Sequence, residues 1–297
     1  MMNKLVSFFL AARPKTLPAG IVPVWAGCMI VWKMRGFWDV HLAVLTLVSA
    51  LCIQIACNFF NDAIDFRKSA DTSKRQGPTR MTASGQLSAR TVQSIGVLFL
   101  LGACAAAWPL IELRGWPMLA IGIPSLFFAY GYTGGPWPLA YKGLAEAFVV
   151  LFFGLIAVMG TVFVQIGWTG SDAMLYAAAG MVGVQCGLLS AVMVCVNNIR
   201  DRAEDASTGK RTLAVRLGDA KARRLACSFI VATYVTLPQV SKALGGIHLS
   251  WYWLPLILLA GVLMMKILRT PADKRMNGVL ALSALHLVAF VATLTCS

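Results

Sequence analysis

Long apolar runs fill most of the chain, and short polar connections separate them. A membrane-crossing helix needs about 20 predominantly apolar residues. Nine runs qualify: 17–33, 40–61, 91–111, 115–132, 144–165, 172–197, 222–240, 249–268 and 277–296. They leave no stretch for a separate water-soluble domain. The pattern predicts an all-α, polytopic membrane bundle of nine transmembrane helices, a single domain over residues 1–297. Residues 1–15 are read apart, as an interfacial segment. Lys4 precedes a short apolar run that ends at Arg13-Pro14-Lys15. Basic residues at that point argue against a cleaved signal. Leu5, Phe8 and Phe9 predict a helix lying on the membrane surface.

Composition agrees. The chain is 58% hydrophobic and 13% charged, against about 25% charged in soluble domains. Charge then orients the bundle. With a cytoplasmic N-terminus and nine crossings, 22 of the 26 Lys and Arg fall on the cytoplasmic side. Only Lys33, Arg35, Arg114 and Lys242 fall outside. Basic residues favour cytoplasmic loops, so the expected topology is N-in, C-out. The net charge of +14 therefore reflects topology first. The basic residues sit in separate loops rather than on one face, so the expected partner is the lipid bilayer and not nucleic acid.

Eight tryptophans lie near span ends, where amphipathic rings settle; Trp25 is the exception and is expected to face an interior. The eight cysteines lie in or beside apolar runs with no C-x-x-C pair, which predicts small buried residues rather than a disulfide framework. His41, His248 and His286 are too scattered for a zinc site. His286 lies inside the last run and is expected to face protein or a cavity.

The acidic residues carry the chemistry. Six of the twelve fall in two clusters, each at the end of an apolar run. The first holds Asn61, Asp62, Asp65 and Asp71; the second holds Asn197, Asp201, Glu204 and Asp205. A shift of 136 positions puts Asn61 on Asn197 and Asp65 on Asp201. On a helix, positions i and i+4 share a face, so Asn61 with Asp65 and Asn197 with Asp201 and Asp205 form two stripes. Gln54, Asn58 and Asp62 form a third that runs into the membrane. Polar groups at that depth are costly unless they face a cavity. The repetition suggests two related halves, as polytopic folds often show. Several carboxylates with retained waters suit Mg²⁺ holding a diphosphate. Arg67, Lys68, Arg75 and Arg80 interleave with the first cluster, and Arg200 and Lys210 with the second. Arg gives bidentate contact and Lys a point charge, so these look like a diphosphate clamp. Ser207-Thr208-Gly209-Lys210 is not a nucleotide-binding loop: Glu204 stands where the first glycine belongs, and no strand precedes it.

These features resemble the UbiA-type intramembrane aromatic prenyltransferases, whose two Asp-rich motifs follow spans two and six of nine. Asp201 and Asp205 match the second motif without change. Asp71 lies six residues after Asp65 rather than four, with Ser69 in the expected slot. Within that family the chain is most similar to the branch acting on 1,4-dihydroxy-2-naphthoate. The stretches that carry this are Ala12–Thr16, Gly77-Pro78-Thr79-Arg80, Tyr132-Thr133-Gly134-Gly135, Gly143-Leu144-Ala145-Glu146, Asn198-Ile199-Arg200-Asp201 and Gly209–Gly218. Ala145 stands where the branch usually has Gly.

The resemblance implies transfer of a polyprenyl group from a polyprenyl diphosphate to 1,4-dihydroxy-2-naphthoate, with loss of CO₂ and diphosphate. The implied place is the cytoplasmic (inner) membrane of a bacterium. The expected metal ligands for Mg²⁺ are Asn61, Asp62, Asp65, Asp71, Asn197, Asp201 and Asp205. Asp65, Asp201, Asp205 and Lys142 form the expected catalytic set. Lys142 joins Arg67, Lys68, Arg75, Arg80, Arg200 and Lys210 as expected diphosphate ligands. Arg13, Tyr132 and Glu146 are expected at the aromatic acceptor; the alternative for Glu146 is an ion pair with Lys142 one turn away. Prenylation of 4-hydroxybenzoate or homogentisate is the competing reading. An alcohol phosphotransferase would need a D-G…A-R pattern that is absent. A transporter would place its charges near the midplane rather than at one face.

Overall fold

The computed structural model describes residues 8–9, 11–70, 76–77, 80–170, 172–246, 251 and 253–297. Among these, no strand occurs. The helices are α1 (Pro18–Arg35), α2 (Val40–Arg67), α3 (Ala89–Arg114), α4 (Trp116–Gly131), α5 (Ala145–Ile166), α6 (Ala173–Ser207), the short α7 (Leu213–Leu217), α8 (Asp219–Val235), α9 (Leu237–Ala243), α10 (Trp253–Arg269) and α11 (Met276–Cys296). Six segments are long and apolar enough to cross a membrane: Pro14–Arg35, α2, α3, α5, α6 and α11. Helix α4 is apolar but shorter.

Two departures from the apolar pattern matter. Helices α2 and α6 do not stop at 61 and 197, where their apolar runs end. They continue to Arg67 and Ser207. The extensions contain no Gly or Pro, so nothing breaks the hydrogen-bond ladder. The acids therefore project from rigid helix ends rather than from loops. Conversely, the run 222–240 is interrupted at Thr236, and α9 starts with Pro238 in its first turn. Proline's missing N–H is tolerated there.

Helix α6 lies at the centre, packed by α1, α5, α8 and α11. A large apolar core, including Val182, Cys186, Leu189, Val196, Leu263, Leu287 and Phe290, surrounds it. Helix α5 is α-helical over Ala145–Val149, widens into a π turn over Val150–Ile156, and resumes over Ala157–Ile166. At that turn α5 and α6 touch backbone to backbone. A Cβ on Gly154 would lie 2.4 Å from the Gly183 carbonyl oxygen, and one on Gly187 would lie 2.7 Å from that of Val150. A smaller core joins α2 to α3 through Phe59, Ala63, Met81 and Val92. Phe8 packs onto it, its ring tilted and 5.2 Å from that of Phe59. Leu5 lies outside the described residues.

Trp32, Trp38, Trp108, Trp116, Trp137, Trp168 and Trp251 are exposed, as span-end rings should be. Trp253 is the exception: it is buried in the core of the C-terminal helices. Trp25 packs partly buried against the same core. Cys28, Cys52, Cys57, Cys104, Cys186, Cys195 and Cys227 are free thiols. His286 is buried and bonds the Tyr234 hydroxyl at 2.7 Å.

Candidate active site

The extended ends of α2 and α6 meet at one end of the bundle, and Asp65 joins them. Its carboxylate is 3% exposed. One oxygen accepts from Arg80 Nη2 at 3.2 Å and Lys210 Nζ at 3.0 Å. The other accepts from the Tyr141 hydroxyl at 2.7 Å. Three connections, after α2, α4 and α6, thus converge on one acid. The Tyr141 ring also carries two ammonium groups: Lys68 Nζ lies 4.3 Å and Lys210 Nζ 4.9 Å from its centroid. Aromatic faces attract cations at such distances. Lys68 Nζ further donates to the Thr133 carbonyl at 2.9 Å. Partial desolvation lowers the Lys68 pKa; Asp65 opposes this, and Lys210 adds to it.

Arg200 grips its own neighbour. Its Nε and Nη2 donate to the two Asp201 oxygens at 2.7 and 2.6 Å, and its Nη1 donates to Asn277 Oδ1 at 2.6 Å. Asn277 Nδ2 in turn donates to the Gln76 carbonyl at 3.3 Å. Arg200, expected as a diphosphate ligand, is thereby buried between α6 and α11 with its fork filled by Asp201. Asp205 is buried, and its carboxylate makes no hydrogen bond among the described residues. Lys210, Asp201, Asp65 and Glu204 are its charged neighbours.

Asp62, expected as a metal ligand, is placed differently. It is 1% exposed. Both its oxygens accept from the turn that follows Arg80: Met81 N at 2.9 Å, and Thr82 N at 3.3 Å together with the Thr82 hydroxyl. Lys142 stands 3.5 Å from the Trp137 centroid and makes no ion pair with Glu146. Glu146, 2% exposed, accepts instead from Asn198 Nδ2 at 2.9 Å, and its second oxygen is buried without a hydrogen bond. Arg67 is exposed at the end of α2. Asp71 and Arg75 lie outside the described residues.

Behind the acids lies a polar cavity of about 120 Å³. Arg13, Tyr132, Asn58, Asn61, Asn197 and Asn198 line it. Arg13 holds left-handed backbone at φ 57°, a conformation costing a non-glycine residue on the order of 1–3 kcal/mol. Asn61 accepts from the Thr133 hydroxyl. Asp65 and Asp201 lie one helical turn beyond Asn61 and Asn197. The cavity continues into an apolar one of about 400 Å³ between α1, α2, α3, α4 and α5. Gln54, Cys57, Phe148 and Phe153 line both. Phe148 stacks on Phe152 at 4.4 Å, and Phe128 and Tyr132 close on that pair.

The donor set offered by Asn61, Asp65, Asn197, Asp201 and Asp205 is entirely oxygen, which suits a hard cation such as Mg²⁺. The unengaged carboxylate of Asp205 fits such a role. Among the described residues, no three His, Cys, Asp or Glu side chains form a ready-made metal cluster.

Sequence reasoning missed Tyr141, Thr133, Thr82, Asn198 and Asn277. Thr133 and Asn198 fall inside stretches that carried the resemblance, which was the available signal. Nothing local marks Tyr141, Thr82 or Asn277, because their partners lie 20 to 201 positions away.

The fold and site define an all-helical bundle with apolar spans, a charged acid–base cluster at one end, and a polar cavity opening into an apolar one. The chain belongs to the UbiA prenyltransferase family, which matches residues 20–292. It is 35% identical over 238 residues to a 1,4-dihydroxy-2-naphthoate octaprenyltransferase of Mycobacterium leprae, covering 79% of this chain and 77% of that one. It is 32% identical to the Escherichia coli enzyme of the same name over 271 residues, 89% of this chain and 84% of that one. The apo structure of a UbiA homolog from Aeropyrum pernix superposes with TM-score 0.71 at 15% identity, covering 99% and 98% of the two chains. A UbiA homolog from Archaeoglobus fulgidus bound to DMAPP and Mg²⁺ gives 0.64 at 17% identity, covering 98% and 100%.

Proposed function

We propose that this protein transfers a polyprenyl group from a polyprenyl diphosphate to 1,4-dihydroxy-2-naphthoate. CO₂ and diphosphate leave, and demethylmenaquinol forms. One observation carries the chemistry: Asp65 ties three connections together one helical turn from Asn61, which lines a polar cavity that runs on into an apolar one. The similarity to naphthoate octaprenyltransferases supports the choice of acceptor.

Asp65, Asp201 and Asp205, with Asn61 and Asn197, would hold Mg²⁺; Asp71 is a further candidate. The ion, when bound, offsets diphosphate charge and makes it a better leaving group. Arg80, Lys68 and Lys210 supply positive charge at the same place, where diphosphate negative charge grows as the allylic C–O bond breaks. Arg67, Arg75 and Lys142 are outer candidates. The apolar cavity takes the prenyl tail. Phe148, which lines both cavities, and Phe152 stacked on it keep water from the electrophilic carbon. Arg13 faces the acceptor carboxylate. The Tyr132 hydroxyl donates to an acceptor oxygen, and Glu146 accepts from a ring hydroxyl through its unengaged oxygen. That draws electron density into the ring carbon that attacks.

Residues 1–297 act as one domain with nine crossings, N-in and C-out, in a bacterial inner membrane. The 22-to-4 division of basic residues supports this. A cysteine placed at Lys74 in a Cys-free background should react with impermeant reagent only from the cytoplasmic side. Labelling from the outside alone would reverse the topology.

Purified protein given one labelled prenyl diphosphate and a panel of acceptors tests the function. Prenylated product is expected with 1,4-dihydroxy-2-naphthoate. Product only with 4-hydroxybenzoate or homogentisate would overturn the choice. Glu146→Gln should raise the naphthoate KM or lower kcat, with the prenyl diphosphate KM unchanged. An effect confined to the diphosphate substrate would refute the acceptor role.

A further inference from the structure

Helix α2 presents two polar stripes to the site, and they have different partners. Asn61 and Asp65 face the cluster of Thr133, Tyr141, Arg80 and Lys210. Gln54, Asn58 and Asp62 lie on the neighbouring stripe, and each grips backbone. Gln54 Nε2 donates to the Thr16 carbonyl at 2.7 Å, and Asn58 Nδ2 to that of Ala12 at 2.9 Å. Asp62 accepts from the amides of Met81 and Thr82. The second stripe fastens neighbouring chain to α2; the first does chemistry.

We propose that Asp62 is a positioning residue that clamps the turn after Arg80 onto α2 and so delivers the Arg80 guanidinium to Asp65. The inference rests on the prenyltransferase reading for its consequence and on geometry for its content. Asp62 is 1% exposed, Thr82 3% and Met81 2%. The Thr82 hydroxyl also reaches the Asp62 carbonyl oxygen at 3.2 Å, so side chain and backbone hold the same residue. Met81 is driven into the small core of Phe59, Ala63 and Val92, which fixes the turn from its other side. Arg80 immediately precedes this doubly held pair, and its Nη2 lies 3.2 Å from Asp65. To turn both oxygens onto a cation, Asp62 would have to weaken its bonds to two amides that are themselves buried. Buried N–H groups left unpaired are strongly disfavoured. The clamp therefore competes with metal binding by the same carboxylate.

The test uses the full-length protein in nanodiscs and compares Asp62→Asn, Thr82→Val and the double variant with wild type. Asp65→Asn is the reference for the reading itself. Hydrogen exchange of peptides covering 80–86 should accelerate in Asp62→Asn and, less strongly, in Thr82→Val. The prenyl diphosphate KM should rise about tenfold in Asp62→Asn, the expected effect of losing a charge-assisted contact. The Mg²⁺ activation midpoint should stay at the wild-type value in both. The double variant should be no worse than Asp62→Asn alone, since the two residues share one contact. A raised Mg²⁺ midpoint in Asp62→Asn, with wild-type exchange at 80–86, would overturn the proposal and make Asp62 a ligand. Should Asp62→Asn fail to fold, Thr82→Val decides: accelerated exchange with a raised diphosphate KM supports the clamp, and wild-type values in both refute it. Full activity of Asp65→Asn would instead sink the prenyltransferase site and leave the exchange result standing.

Discussion

Asp65→Asn should lower kcat/KM for prenyl transfer by at least about 10²-fold, the scale seen when one preorganised electrostatic contact is removed. The substitution keeps the size and removes the charge. Arg80 and Lys210 then face an amide across 3.2 and 3.0 Å, and Tyr141 loses a charged acceptor at 2.7 Å. The two cations are held together through Asp65; without its charge they should repel one another and spread. Both the charge proposed to hold metal and the geometry that holds the cations are lost together. Product formation from labelled prenyl diphosphate measures the effect, with thermal unfolding as the control for folding. Near-wild-type turnover in a folded variant would remove Asp65 from the reaction.

Removing divalent metal should be equally severe. EDTA is expected to abolish transfer and added Mg²⁺ to restore it. Asp201→Asn should show a loss of about 10²-fold and a raised Mg²⁺ requirement. Its position explains why the loss should be large. Arg200 holds both Asp201 oxygens and is itself held by Asn277, so the acid is aimed before any ion arrives. An amide offers that guanidinium one acceptor instead of two. Activity that survives EDTA, or an Asp201→Asn enzyme with wild-type Mg²⁺ dependence, would show that the cluster does not serve a metal.

The sequence made the helices and the two clusters legible for a simple reason. Apolar runs of spanning length, and i, i+4 polar stripes, are local patterns. Asn61 with Asp65, and Asn197 with Asp201, could be paired by inspection because one helix carries each pair. What failed to show was non-local. Arg200 reads like a phosphate ligand beside an acid, and only the folded chain reveals that the acid next to it already fills its fork. Asp62 reads like one more carboxylate in a metal motif until the turn at 81–82 is seen folding back onto it. Tyr141 sits in an unremarked connection and becomes the ring beneath two lysines. The π turn of α5 was invisible, because an apolar run looks the same whether five or four residues close each hydrogen-bonded turn.

That turn sets a rule for how this gene can change. An α-helix advances about 100° per residue, and a π turn absorbs one extra residue without lengthening the contact surface. Phe148, on one side of Val150–Ile156, and Thr161, on the other, line the same apolar cavity. Gly154, Gly183 and Gly187 pin the middle, so the helix cannot slide to compensate. Deleting one codon within 150–156 would therefore act as a rotation of everything beyond it, turning Thr161 away from Gly27 and the cavity wall toward lipid. Descendants of this chain can vary the side chains of this segment far more freely than they can vary its length.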